Sequence, residues 1–141
     1  MGSAKSYRAI GSQDRSLDLR PDDPNELEQF MDVVRIDPHA ELEPDPEHPG
    51  EKFVEQFVGA DRALSAGLWA APGGVTRFDS YPVDEICVVL AGTITLTASD
   101  DVRQVFTAGD VFAVRRGAAV TWEQTDDTRK IYVVLDHGAD G

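Results

Sequence analysis

Four side chains that can transfer protons or bind polar groups stand close together in the middle of the sequence. They all have odd positions: Asp79, Tyr81, Glu85 and Cys87. Alternate residues of a β-strand point to the same face of a sheet. If Glu85 faces a cavity, the other three are therefore expected to face it, provided that Pro82 keeps the register. A carboxyl group in a partly apolar cavity, beside a second carboxyl group, has a raised pKa and can act as an acid or base near neutral pH. We predict Glu85, Tyr81 and Asp79 as catalytic residues; the alternative is that neighbouring strands hold Glu85 by hydrogen bonds.

Five side chains around this group are predicted to bind a substrate: Trp122, Gln124, Cys87, Arg77 and Trp69. Trp122 shares the parity of Gln124, and its indole offers a flat surface on which a ligand can stack. Arg77 can bind a substrate carboxylate at the cavity mouth, with a solvated rim residue as the alternative. For Trp69 and Cys87 the alternative is core packing, because Cys87 has no histidine nearby in sequence to activate its thiol.

Short β-like runs must position these side chains. From residue 52 onward, eight such runs are separated by Gly, Pro or Asp residues: 53–58, 63–70, 85–90, 93–97, 103–107, 111–114, 120–124 and 131–135. Eight short strands without an intervening helical pattern predict an all-β sandwich or barrel.

The first 50 residues have a different composition. They hold six of the eight prolines and twelve acidic residues, which predicts an acidic, proline-rich N-terminal arm over 1–50, followed by a β-barrel domain over 51–141. One short helix is expected in the arm, capped by Asp23 with Pro24 at its first position and Glu26 at its third. Its apolar side chains are Leu27, Phe30 and Met31, and residues 33–36 are a candidate for a further strand.

Two sets of spaced residues resemble a known family. The first is Gly73, Asp79, Tyr81, Glu85 and Gly92, and the second is Gly109, Arg115, Gly117, Val120 and Gln124. Their spacing is similar to the two sequence motifs of the cupins over residues 65–135. Segments 85–92, 109–112 and 117–122 look most like the branch that contains ureidoglycine aminohydrolases and ethanolamine-utilisation proteins. The resemblance implies a single-domain jelly-roll β-barrel.

The resemblance also identifies what is replaced. Metal-binding cupins usually place His, His, Glu and His at the positions of Asp79, Tyr81, Glu85 and Val120. Only Glu85 is kept, valine cannot ligate a metal, and imidazole is the ligand that suits most transition metals. We therefore expect no metal and no other cofactor. Two carboxylates and a phenol remain a possible set for a hard cation.

Charge and composition limit the partners. The net charge is −13 and the longest apolar run, 86–91, is far too short to span a membrane. An acidic surface repels phosphate backbones and anionic lipids, so neither nucleic acid nor membrane is expected as a partner. The single cysteine excludes an intramolecular disulfide, and no secretory signal pattern opens the chain; a cytoplasmic protein is expected. The resemblance implies a homodimer, paired through its sheets or by exchange of N-terminal strands.

Three functions are compatible with these observations. The first is a metal-independent acid/base enzyme of isomerase, lyase, cyclase or hydrolase type that acts on a small polar or carboxylated metabolite. The second is a small-molecule-binding protein without catalysis. The third is a metal-dependent enzyme of the aminohydrolase type, against which the loss of the histidines argues.

Overall fold

The computed structural model describes residues 31–137, which form ten β-strands and no helix. The strands are β1 Glu43–Pro44, β2 Lys52–Val58, β3 Leu64–Ala71, β4 Gly74–Phe78, β5 Asp84–Ala91, β6 Ile94–Ala98, β7 Arg103–Phe106, β8 Val111–Val114, β9 Val120–Gln124 and β10 Thr128–Leu135. Within 31–137 no helix is long and apolar enough to cross a membrane.

The strands form two sheets. One has six strands in the order β1-β2-β3-β10-β5-β8, and the other has four in the order β4-β9-β6-β7. Every pairing is antiparallel. The all-β jelly-roll architecture expected from the sequence is therefore confirmed.

The core lies between the sheets. Residues directly opposite each other in an antiparallel pair point to the same face, so the register groups side chains into rows. One row joins Trp69, Lys130 and Val89, and the next joins Tyr132, Cys87 and Phe112. A cluster of buried residues links these rows to the four-stranded sheet: Tyr81, Cys87, Val89, Ile94, Leu96, Phe112, Val114, Val120 and Trp122.

All eight candidate strands are present, with ends shifted by at most three residues. Two strands were missed. β4 reads Gly-Val-Thr-Arg-Phe and is exposed over four of its five residues, so it lacks the apolar alternation that predicts a strand; β1 has only two residues. The expected strand at 33–36 is wrong, because no strand forms there. The predicted helix lies outside the described residues, apart from Met31.

The segment before residue 50 contributes to the six-stranded sheet. β1 pairs with β2 through Glu43 and Phe53. Asp37 and Gln56 exchange two hydrogen bonds, of 2.7 Å and 3.0 Å. Residues 35–137 thus lie in one compact unit. The division of the chain at residue 50 stays a prediction.

Candidate functional site

A cavity of about 410 Å³ opens between the two sheets, within the range of roughly 300–1,000 Å³ usual for small-molecule sites. Six aromatic side chains line it: Phe53, Trp69, Phe78, Tyr81, Trp122 and Tyr132. Tyr81 and Trp122 lie nearly parallel, with ring centroids 6.4 Å apart, whereas Trp69 meets Trp122 edge-on at 6.3 Å. The walls are therefore flat, rigid and mostly apolar.

A buried ion pair forms the floor of this cavity. Lys130 Nζ donates to Glu85 Oε2 at 2.8 Å, and both side chains are almost fully buried. Glu85 also accepts hydrogen bonds from Tyr81 Oη at 2.6 Å and from Cys87 Sγ at 3.2 Å. Three donors thus converge on one carboxylate. We call Lys130, Glu85, Tyr81 and Cys87 the floor cluster.

Local irregularities of the backbone position two of these side chains. The pairing of β10 with β5 shifts by one residue between Arg129 and Lys130, and bulges of this kind re-aim the side chains beside them. Tyr81 follows the end of β4, where its backbone N–H donates to Ala118 O at 2.8 Å and its carbonyl accepts from Gly117 N at 2.8 Å.

The two tryptophans enclose the lysine. Lys130 Nζ lies 4.3 Å from the ring centroid of Trp122 and 4.7 Å from that of Trp69. A cation over an aromatic face is attracted by the electrons of the ring, more strongly where water is excluded. Lys130 Nζ also lies 3.5 Å from Cys87 Sγ. The ammonium is therefore held in place by one carboxylate, one sulfur and two rings.

The electrostatics of the floor cluster differ from the sequence-based expectation. Burial alone raises the pKa of Glu85, but the Lys130 ammonium and the hydrogen bonds from Lys130, Tyr81 and Cys87 outweigh burial and hold that pKa below its ordinary value. The predicted raised pKa of Glu85 is therefore wrong. Burial and the Glu85 charge raise the pKa of Tyr81 far above its usual value, and burial raises the pKa of Cys87 to about 12. At neutral pH Glu85 is a carboxylate, while Tyr81 and Cys87 keep their protons.

Most of the predicted site residues meet at the cavity. Glu85 and Tyr81 lie in the floor cluster, and Trp69 and Trp122 form the walls. Cys87 also belongs to the floor cluster, but it is fully buried beneath Glu85 and does not itself line the cavity. Gln124 also lines the cavity, where its Nε2 donates to Pro72 O at 2.8 Å.

Asp79 and Arg77 lie outside it. Their side chains are exposed and face each other, with Arg77 Nε 3.5 Å from Asp79 Oδ1. The inward orientation predicted for Asp79 is therefore wrong. β4 ends at Phe78 and the chain bends over residues 79–83, so the alternation of a strand does not extend from Tyr81 back to Asp79.

Lys130 and Tyr132 were missed by sequence reasoning. Lys130 immediately precedes an apolar run, and Tyr132 lies within it. The predicted strand began at Ile131, one residue after Lys130. A signal was present in the parity of Lys130, Tyr132 and Val134, but that pattern does not show which face is internal. The pairing of β10 with β3 on one side and β5 on the other determines which face of the strand is internal.

Acidic groups gather at the mouth of the cavity. Asp45 Oδ2 lies 2.8 Å from His48 Nδ1, and Glu51 Oε1 accepts a hydrogen bond of 2.8 Å from Trp69 Nε1. The hydrogen bond with His48 lowers the pKa of Asp45, and the same bond raises the pKa of His48. One ligand atom from each of these three residues lies within 4.8 Å of the others. We call Asp45, His48 and Glu51 the acidic rim.

The sequence profile of the EutQ-like cupin domain matches residues 58–132, more than half of the chain. This protein belongs to that family. No protein with a curated description matches its sequence. Among solved structures, KdgF from Halomonas sp. is 17% identical with a TM-score of 0.59, over 78% of this chain and 98% of the other. EutQ from Clostridium difficile is 18% identical with a TM-score of 0.55, over 74% and 94%. The cupin domain of Schizosaccharomyces pombe Cnp3 is 20% identical with a TM-score of 0.55, over 70% of each chain. At these identities the likeness concerns the fold.

The floor of this cupin does not fit a transition metal of the kind that metal-binding cupins hold. Of the corresponding positions, Asp79 lies outside the cavity and Val120 is a buried apolar side chain. The surviving carboxylate, Glu85, is bonded to Lys130, a cation that has no lone pair for a metal. A metal ion beside Glu85 would have to displace the ammonium.

Proposed function

We propose that this cupin binds a small polar organic molecule in the barrel cavity without a metal ion and catalyses acid/base chemistry on it. The observation that supports the proposal is the Lys130 ammonium, 2.8 Å from Glu85 inside an aromatic-walled cavity. A fixed positive charge in a site shielded from water stabilises negative charge that develops on a substrate oxygen. Lys130 would thus supply the electrostatic role of a metal ion.

The floor cluster offers both a donor and an acceptor for protons. Lys130 and Tyr81 are donors joined through the two oxygens of Glu85. A substrate oxygen that bonds to Lys130 competes with Glu85 for its protons, which frees one carboxylate lone pair to accept a proton from the substrate. Isomerisation, elimination, cyclisation and hydrolysis all use such a pair of steps. The proposal therefore rests on Glu85, Tyr81 and Lys130, and no longer includes Asp79.

A second candidate function is ligand binding without catalysis. Glu85 accepts three hydrogen bonds and its pKa is lowered, which is also how a purely structural carboxylate is held. In that case the aromatic walls and Lys130 bind the ligand, and the floor cluster maintains the shape of the cavity.

A screen followed by matched variants tests the proposal. A thermal-shift screen of small acids, amines and sugars identifies a compound that binds the native protein. Lys130→Met, measured where circular dichroism shows that it is folded, should then weaken binding of this compound at least about tenfold. Lys52→Met, which removes an exposed lysine of β2, should not. Equal affinity in both variants contradicts the role of Lys130.

Catalysis is tested on the same compound. If it is turned over, Glu85→Gln should reduce kcat by about 10²-fold or more while the fold, followed by circular dichroism, is kept. Turnover that is unchanged in Glu85→Gln disproves the acid/base role. A compound that binds at the cavity but is never converted favours the second candidate.

We also propose that two copies pair through the outer face of the six-stranded sheet. Ile86 on β5 is 47% exposed and Val111 on the edge strand β8 is 60% exposed. Ile86 pairs with Ala113 and Val111 pairs with Val88, so these side chains form one apolar patch. Light scattering should give a dimer for the native protein and a monomer for Ile86→Glu; a native monomer contradicts the pairing.

A further inference from the structure

The two ends of the cavity have opposite hydrogen-bonding character, and Trp69 connects them. The indole ring of Trp69 contacts Lys130 Nζ at the floor, while its Nε1 donates to Glu51 Oε1 at the rim. A cation and a carboxylate are therefore separated by about the width of one indole. An apolar, aromatic stretch lies between them.

The floor presents donors to a ligand. Both Glu85 oxygens already accept hydrogen bonds from within the floor cluster, and the charge of Lys130 balances that of Glu85. Tyr132 also lines the cavity, and its hydroxyl makes no hydrogen bond within residues 31–137. Burial, the Glu55 charge and the Glu85 charge raise the pKa of Tyr132 to about 12, so this hydroxyl keeps its proton and can donate it to an acceptor. Gly67 gives this hydroxyl its room, because a Cβ at that position would lie 2.7 Å from Tyr132 Oη. A ligand group at the floor must therefore be an acceptor, such as a carboxylate.

The acidic rim presents acceptors. Glu51 and Asp45 both line the cavity. Glu51 keeps one carboxylate oxygen outside the bond to Trp69, whereas each Asp45 oxygen accepts one hydrogen bond and retains a lone pair for a second. Asp45 Oδ1 accepts a backbone bond of 2.9 Å from Glu47, which fixes the turn that carries the rim. A ligand group at the mouth must therefore be a donor, and the local charge favours a cation.

We propose that the ligand is a zwitterion, with a carboxylate that binds Lys130 and Tyr132 and an ammonium group that binds Glu51 and Asp45. This inference rests on the proposed function and adds the substrate class. A dicarboxylate would place one carboxylate against the carboxylates of the acidic rim, and a diamine would place one ammonium against the donors of the floor. Like charges in the first case and two facing donors in the second reduce affinity. Only a ligand with one charge of each sign, joined by a short apolar body, satisfies both ends.

Matched probe compounds test the charge pattern. The probes are ω-amino acids with two to six carbon atoms, each compared by calorimetry with the carboxylic acid and the amine of the same length. One length should bind about tenfold or more tightly than both of its singly charged analogues, since each end adds a charge-assisted hydrogen bond. The proposal is overturned if an acid or an amine binds as tightly as its amino acid, or if no member of the series binds.

Two conservative variants locate the ends. Glu51→Gln keeps an oxygen for the Trp69 bond and removes the charge. It should therefore weaken binding of the amino acid about tenfold and leave binding of the carboxylic acid analogue unchanged. Tyr132→Phe should weaken the amino acid and the acid alike, and leave the amine unchanged. Glu123→Gln, on an exposed position of β9, is the control and should change none of them.

If Glu51→Gln weakens binding of the carboxylic acid as much as binding of the amino acid, Glu51 has a merely structural role. That result would overturn the proposal that the acidic rim binds the ammonium group. Uncharged compounds that bind in the cavity, and whose affinity depends on Lys130, would overturn the zwitterion and leave the proposed function standing.

Discussion

Two ion pairs in this protein consist of the same kinds of group and differ in what surrounds them. Lys130 and Glu85 lie 2.8 Å apart with side chains 6% and 8% exposed, whereas Arg77 and Asp79 lie 3.5 Å apart with side chains 70% and 96% exposed. Both pairs stand close to the same sequence motif. One pair forms the floor of the cavity, and the other is on the outside of the barrel.

The difference shows that the energetic contribution of an ion pair depends on burial more than on residue type. Water and salt screen the exposed pair. The buried pair has lost its hydration, so each charge depends on its partner and on the donors and rings around it. The strand parity of Asp79 and the place of Arg77 just ahead of the motif suggested that both belong to the site. Their exposure removes both from the cavity.

The largest expected effect comes from breaking each pair by one neutral substitution. Lys130→Met leaves the Glu85 carboxylate buried without a counter-ion and should lower the free energy of unfolding by about 3–5 kcal/mol. Arg77→Met should lower it by less than about 1 kcal/mol. Urea denaturation measures both. Equal losses in the two variants would mean that burial does not distinguish the pairs.

Neutralising both members of the buried pair should reverse much of that loss. In Lys130→Met/Glu85→Gln no charge remains buried, and neutral replacements of buried ion pairs are often tolerated. The free energy of unfolding of the double variant should therefore exceed that of Lys130→Met by at least about 2 kcal/mol. If the two substitutions add, Lys130 and Glu85 are not coupled.

The acid dependence of stability should follow the buried carboxylate. The pKa of Glu85 is lower in the folded protein than its ordinary value of 4.5. The ionised Glu85 therefore contributes fully to the free energy of unfolding above the pKa that this carboxyl group has in the unfolded chain. That contribution is lost as the pH falls through the pKa of Glu85 in the folded protein. Between pH 6 and pH 2 the native protein should lose more stability than Glu85→Gln does. Parallel curves from pH-dependent urea denaturation would contradict the assignment.

The smallest expected effect concerns the reactivity of Cys87, which lies beside the buried Lys130–Glu85 pair. Its pKa is raised to about 12 from an ordinary value of 9.0, so little thiolate is available for alkylation at pH 8. Iodoacetamide should label native Cys87 far more slowly than the urea-unfolded chain, as followed by mass spectrometry. Labelling at the same rate in both states would mean that the floor cluster is open to solvent.

Much of the fold could be predicted from the sequence, because short apolar alternations and turn residues are local signals. β8 and β9 were predicted to the residue. β4 could not be predicted in this way, since its side chains are exposed and show no alternation. Tyr81 and Glu85 were placed in the cavity by their motif positions, and Trp122 by the strand parity that it shares with Gln124. Lys130 could not be, because it enters the cavity only through the pairing of β10 with β3 and β5.

The central claim is that Lys130 takes the place of a metal ion beside Glu85. The most direct test is a Co²⁺ titration of the native protein, purified without chelators and analysed beforehand for its metal content. We expect less than one equivalent of transition metal as purified and no Co²⁺ binding that Glu85→Gln removes. One tightly bound equivalent that is lost in Glu85→Gln would contradict the claim.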